Sequence, residues 1–390
     1  MLVILLCAAF LTAPASPAPA IELPVIEHLP DPFLFADGHR VATQQDWQAR
    51  RTAIIDLLLT YQYGHIPPPP GNVHVTEELD SGLRFEDKVR YRKVRLGFGP
   101  DAKLKMTTYL YLPAQGKGPF PILVRFGHDE SKFMPFIQNG YAYACFEQTE
   151  LDPDTEGYDE LGPAQRAYPD CDWGSIAVWA WGASRMMDWI ETLPDVDASK
   201  SIITGHSRTG KAALLAGALD KRFAMVVPNG SGCGGAAAYR IKVADSETLE
   251  LITRPDRFMS WFQKDFSRFS NKENRLPFDQ HFLRALVAPR LLLTTDALGD
   301  TWCNLPGTQA AWLGTQPVFD FLRVPDHNCC HFREGSHDQN EEDYQVLLEV
   351  AEWYFKGIAL TRDFSTLPVP DYKRGWTWTE PGKSPHVSEK

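Results

Sequence analysis

The sequence is short of positive charge, of cysteine and of long apolar runs. Lys and Arg number 39 against 50 Asp and Glu, a formal net charge of −11. Such a surface lacks the cations that displace counterions from phosphates, which argues against non-specific nucleic-acid binding and leaves room for a local basic pocket facing a carboxylate or sugar acid. Seven cysteines in 390 residues are too few for a disulfide scaffold. Beyond the N-terminus no segment reaches the about 18 apolar residues of a membrane span. There is no internal repeat and no long low-complexity linker. What is present is a 44% hydrophobic, 12% aromatic chain. That composition excludes a disordered tail, a collagen-like repeat and an ordinary coiled coil, and it suffices to bury a substantial core.

The first twenty residues carry no charged side chain. Val3 to Leu11 is apolar, and Ala13 to Ala20 (APASPAPA) is rich in small residues and proline. This reads as a secretory signal, residues 1–20, cleaved near Ala20, and implies export to the periplasm or the extracellular space. The plain alternative is an N-terminal extension. Removing Cys7 leaves Cys145, Cys171, Cys233, Cys303, Cys329 and Cys330, an even number in an oxidising compartment. Connectivity is not readable from spacing, and buried free thiols are the alternative for several of them.

Residues 21–390 read as one domain with an accessory N-terminal segment. Gln45 to Tyr63 has helical spacing and ends before the four prolines Pro67 to Pro70. Val89 to Leu96 and Lys105 to Leu112 alternate as half-buried strands do. Phe120 to Phe126, Tyr141 to Phe146, Ser201 to Thr204, Phe223 to Pro228, Ala288 to Thr295 and Val318 to Val324 are further strand expectations. Helical patterns cover Trp173 to Leu193, Gly210 to Leu219 and Glu341 to Phe355. Strands alternating with helices predict a three-layer α/β sandwich around a mainly parallel sheet.

The sharpest local pattern is Ile202-Ile203-Thr204-Gly205-His206-Ser207-Arg208-Thr209-Gly210-Lys211. A β-branched strand ends at Gly205, Ser207 follows, and a helix begins at once. This is the strand–turn–helix setting of a nucleophile elbow, with the second glycine one residue later than in G-x-S-x-G. Small residues let the backbone reverse while lifting the serine Oγ clear of the sheet, and the helix start aims N–H groups at developing negative charge. A serine that merely caps the helix is the competing account.

The stretch GHSRTGKAALLAGALDKRFAMVVPNGSGCGG resembles carbohydrate esterase family 15, the glucuronoyl esterases, in their bacterial branch. The elbow with Ser207, Arg208, Gly210 and Lys211, and the downstream Ser231, Gly232, Gly234 and Gly235, carry the likeness. It continues through LPFDQHFLRALVAPR, Asp300-Thr301-Trp302 and REGSHD. The resemblance implies an α/β-hydrolase fold and cleavage of glucuronic-acid esters joining xylan to lignin, without a cofactor. It implies that Arg208 assists the oxyanion hole, that Lys211 contacts uronate hydroxyls, and that Trp302 and Glu247 line the sugar. A solvated helix charge for Lys211, core packing for Trp302 and a surface charge for Glu247 are the bland accounts.

A nucleophilic serine needs a base and the base an orienting acid. In this fold class the order along the chain is Ser, acid, His. His327, His331 and His337 lie in what reads as a long loop before the last helix. The family pattern R-x-G-x-H falls on Arg333, Gly335 and His337, so His337 is the expected base and His331 the reserve. The acid that many family members carry before the downstream Ser-Gly is here Gly230. Asp300, after a later strand, is the expected acid, with Asp296 in reserve and a turn-forming Asp300 as the alternative. His327, Cys329, Cys330, His331 and His337 do not match a regular zinc pattern, and no metal is expected. The leading expectation is a secreted serine esterase acting on a uronic-acid-containing polysaccharide or its ester. An acetyl-xylan or other carbohydrate esterase, and a carbohydrate-binding protein on a decayed hydrolase fold, are the alternatives.

Overall fold

A computed structural model describes residues 23–384 apart from positions 156, 158, 159 and 371, so the signal-peptide reading of residues 1–20 lies outside the described residues. Nine strands form one sheet: β1 (His74–Arg84), β2 (Val89–Phe98), β3 (Leu104–Pro113), β4 (Phe120–Phe126), β5 (Ala142–Phe146), β6 (Val196–His206), β7 (Met225–Asn229), β8 (Leu291–Ala297) and β9 (Asn328–Arg333). Their order is β1-β2-β3-β5-β4-β6-β7-β8-β9. β1, β2 and β3 are antiparallel, and β3 meets β5 antiparallel. From β5 to β9 every neighbouring pair is parallel. The parallel strands are buried on both faces, which is why Phe120–Phe126 and Leu291–Ala297 begin with continuous apolar runs, up to Val124 and Leu293.

The long helices are α1 (Gln44–Leu58), α2 (Ser175–Ile190), α3 (Arg208–Leu219), α4 (Leu305–Phe321) and α5 (Glu341–Lys356). α1 opens on a capping box between Thr43 and Asp46. α2 is covered on nearly every side, with Trp179 wholly buried. α3 packs so tightly on β7 that a Cβ at Gly217 would lie 2.2 Å from Val226 Cγ2. One apolar core fills this side of the sheet; a second, around Tyr143, Leu293 and Leu347, fills the side covered by α5. The layered architecture is the one the alternating pattern predicts.

Two expectations are corrected. Val318 to Val324 is not a strand: Val318 and Phe319 end α4, where a helix buried on most sides makes its apolar residues run together and mimic a core strand. The expected long loop before α5 contains β9, so His331 belongs to the edge strand of the sheet. The six cysteines 145, 171, 233, 303, 329 and 330 are all free thiols, and only Cys171 among them is partly exposed.

Candidate active site

In a parallel sheet the loops after the strands' C-terminal ends lie along one edge, and there this chain gathers its chemistry. Ser207 follows β6 directly. Its backbone adopts φ 56° and ψ −123°, a region that a side-chain-bearing residue occupies only under constraint. The constraint is the elbow: a Cβ at Gly205 would come within 2.3 Å of the Thr209 carbonyl oxygen. Thr209 ties the turn shut, its Oγ1 accepting from the His206 N–H at 3.0 Å and donating to the His206 carbonyl at 2.8 Å. Gly210, the displaced second glycine, sits where a Cβ would lie 2.6 Å from the Asn229 carbonyl oxygen. Ser207 occupies the cap position of α3, yet its side chain makes no capping bond. Its Oγ lies 3.0 Å from His337 Nε2 instead.

His337 lies four residues beyond the end of β9, and Asp300 three beyond the end of β8. His337 Nδ1 is 2.6 Å from Asp300 Oδ2. Asp300 Oδ1 accepts from the Cys303 N–H at 3.2 Å. Burial works against the Asp300 charge, but the hydrogen bonds from His337 and Cys303 win and hold its pKa below the usual carboxylate value. Ser207, His337 and Asp300 thus form one hydrogen-bonded chain. The reserve residues stand elsewhere. His331 Nε2 meets Glu342 Oε1 at 2.9 Å. Asp296, inside β8, is buried with neither carboxyl oxygen hydrogen-bonded, and burial beside the Asp300 charge pushes its pKa up to about 8.

Arg208 opens α3 and is held from three sides. Its guanidinium pairs with Asp154 and lies 5.0 Å from the ring centre of Trp261 and 5.2 Å from that of Phe258. Asp154 also accepts from Trp261 Nε1 at 2.9 Å, and Trp261 stacks on Phe258 at 4.1 Å. One carboxylate therefore anchors both the cation and the ring it rests on. Lys211 is 2% exposed and spends its three N–H bonds on Ser231 O (2.8 Å), Cys233 O (2.7 Å) and Glu247 Oε2 (2.7 Å). It is no solvated helix charge, and Glu247 is no surface charge. Burial raises the Glu247 pKa while Lys211 opposes that rise. The Glu247 N–H donates to the Trp302 carbonyl, which joins these two residues. Trp302 is half-buried, with the Arg257 guanidinium 5.7 Å from its ring centre.

The cysteines and histidines weighed for zinc are bonded apart: His327 Nδ1 to Pro289 O, Cys329 to Asp326 O, His331 to Glu342. Among the described residues, the donors close enough to share an ion are Asp300, Cys303 and His337, and their nitrogen and oxygen atoms already belong to the hydrogen-bonded chain. Sequence reasoning missed Asp154, Trp261 and Cys303. No local spacing links Asp154 to Arg208, 54 residues away. Cys303 Sγ lies 3.0 Å from the Gly230 carbonyl oxygen and 3.3 Å from His337 Nδ1, a position that only the turn after Asp300 creates.

A mainly parallel sheet with Ser207 on its strand-to-helix turn, and an acid and a histidine on later strand ends, defines an α/β-hydrolase. The family model described as glucuronyl esterase of fungi matches residues 100–323. A 4-O-methyl-glucuronoyl methylesterase of Schizophyllum commune is 31% identical over 77% of this chain and 75% of its own. A family 15 glucuronoyl esterase from Caldicellulosiruptor kristjansonii superposes with a TM-score of 0.76 at 33% identity, covering 88% of this chain and 94% of that one. A Sporotrichum thermophile glucuronoyl esterase variant, solved with methyl 4-O-methyl-β-D-glucopyranuronate, superposes with a TM-score of 0.73 at 26% identity, covering 87% and 90%. The chain belongs to the glucuronoyl esterase family of carbohydrate esterases, and is an enzyme of hydrolase type.

Proposed function

We propose that this enzyme hydrolyses esters of glucuronic acid by a serine acyl-enzyme route. The observation that carries the reading is the chain from Ser207 Oγ through His337 to Asp300, at 3.0 and 2.6 Å. His337 Nε2 takes the proton as Ser207 Oγ attacks the uronate carbonyl carbon. The C–O bond to the alcohol then breaks, and His337 returns that proton to the leaving oxygen. Water repeats the sequence on the acyl-enzyme and releases free uronate. Asp300 keeps the His337 Nδ1–H in place and supports the imidazolium. Arg208, with the N–H groups that open α3, faces the negative charge on the carbonyl oxygen. Glu247, Trp302 and Lys211 receive the sugar, and a ring hydroxyl reaching Lys211 replaces one of its carbonyl acceptors.

The relative solved with a methyl glucuronate supports the uronate as the acyl part. In the same reading the sugar belongs to a plant cell-wall polysaccharide, and residues 1–20 export the enzyme to meet it. The test is a panel of methyl 4-O-methyl-glucuronate and acetylated xylosides assayed with the wild type and Ser207→Ala. Turnover of the glucuronate ester alone, lost in the variant, is expected. Preferential deacetylation, or activity that survives in the variant, overturns the reading.

A further inference from the structure

His337 stands on a loop, one-third exposed, and its two ring nitrogens are engaged by Asp300 and Ser207. Hydrogen bonds to imidazole nitrogens act in the plane of the ring, so these two resist rotation better than they resist displacement along the ring normal. The His206 ring packs against it, its centre 4.6 Å from that of His337 at a tilt of 45°. It has room there because residue 230 has no side chain. A Cβ on Gly230 would lie 3.1 Å from His206 Cε1, 3.2 Å from its Nδ1 and 3.6 Å from His337 Cε1.

His206 is tied to the sheet. Asn229 Nδ2 donates to Thr295 Oγ1 at 2.8 Å, which turns Asn229 Oδ1 toward His206 Nδ1, 2.6 Å away. Nδ1 therefore carries the hydrogen. His206 pairs with Asn229 across β6 and β7, and Asn229 with Thr295 across β7 and β8, so the ring is braced by three strands. Burial favours its neutral form; His337 and Arg125 act in the same direction, against Asn229 and Asp300.

We infer that His206 is a positioning residue: a ring tied to Asn229 and, through it, to Thr295, that packs against the His337 ring in the space Gly230 leaves open. The inference rests on His337 being the base of the proposed reaction.

The test is steady-state kinetics on methyl 4-O-methyl-glucuronate with His206→Ala, Gly230→Ala and the double variant, each with a melting curve. A base displaced by a fraction of an ångström costs rate rather than affinity, so kcat should fall about tenfold or more in His206→Ala with KM within about twofold. Gly230→Ala, which pushes the ring aside, should also lower kcat at constant KM. The double variant should lose less than the product of the two single losses, because the added methyl no longer presses on an imidazole and only the strain of φ 51° at residue 230 remains. An unchanged kcat in His206→Ala, or losses that multiply in the double variant, overturns the inference. Where His206→Ala unfolds, Asn229→Ala decides, because it releases His206 Nδ1 without touching residue 230: a kcat loss at constant KM supports the role and an unchanged kcat overturns it. His337→Ala runs in parallel; activity retained there refutes the base assignment itself, a different failure.

Discussion

Lys211 and Glu247 meet at 2.7 Å with 2% and 3% of their side chains exposed, a buried ion pair one helical turn from Ser207. The approach depends on Gly232, where a Cβ would lie 2.8 Å from Glu247 Oε2. Breaking such a pair from one side leaves an uncompensated buried charge, worth about 3–5 kcal/mol. Lys211→Met should therefore lower the melting temperature sharply, and Glu247→Gln added to it should restore most of the loss. The same double variant should still hydrolyse a small activated acetate while failing on glucuronate esters. Equal losses on both substrates would remove the pair from sugar recognition.

Ser207→Ala should abolish turnover, a fall on the order of 10⁴-fold or more, with little change in melting temperature, because its side chain supplies no helix cap. Ser207→Gly should be equally inactive and more stable than Ser207→Ala, since glycine accepts φ 56° without strain. Thermal melts of the two variants check the strain directly.

Asp300→Asn removes the acceptor that fixes the His337 Nδ1–H and should lower kcat by about 10⁴-fold. Asp296→Asn should leave kcat within about threefold, since Asp296 does not touch His337. A reversal of these two effects in the same assay would move the acid to Asp296.

Asp296 also predicts a pH effect on stability. Its folded pKa of about 8 stands far above the ordinary aspartate value. Between about pH 4 and 8 the folded chain keeps a proton that the unfolded chain releases. Its contribution to stability is therefore complete at the acid end and declines as pH rises through that window, levelling off above about 8. Asp296→Asn, neutral throughout, should gain stability relative to the wild type as pH rises from 5 to 8, by at most about 1.4 kcal/mol per unit. Denaturant midpoints measured across that range should diverge; parallel curves would mean that Asp296 is ionised in the fold.

Asp154→Asn keeps the size of the anchor and removes its charge from Arg208. If Arg208 must be held to meet the carbonyl oxygen in the transition state, kcat should fall about tenfold or more while KM changes little. Trp261→Phe, which loses the Nε1–H to Asp154, should produce a milder version of the same pattern.

What the sequence made legible follows from how each feature is encoded. The elbow is written in ten consecutive residues, since a tight reversal admits few side chains. That Asp300 and His337 would come together beside Ser207 is readable through chain order, because a parallel sheet brings successive strand ends to one edge. The likeness to glucuronoyl esterases sharpened both. Val318 to Val324 misled because the last turn of α4 buries Val318 and Phe319 while the turn beyond it ends in further apolar residues, so only Asp320 and Arg323 mark the helical period. Asp154 and His206 were not legible as partners. Asp154 reaches Arg208 across a fold-dependent gap, and the setting of His206 depends on a side chain missing at Gly230, 24 positions further on.

The free thiols bear on how this protein must be made and kept. The six cysteines in the described residues are unpaired, five of them buried, and burial raises their pKa values. No covalent link among them has to form, in any order, for the chain to reach its native state. No disulfide among these cysteines supports the fold, so reductants should leave both the melting temperature and the assembled Ser207–His337–Asp300 chain untouched. A fold that needs no disulfide keeps its thiols safe only by burial, so local opening around the five buried cysteines, rather than reduction, is what would expose it to oxidative damage.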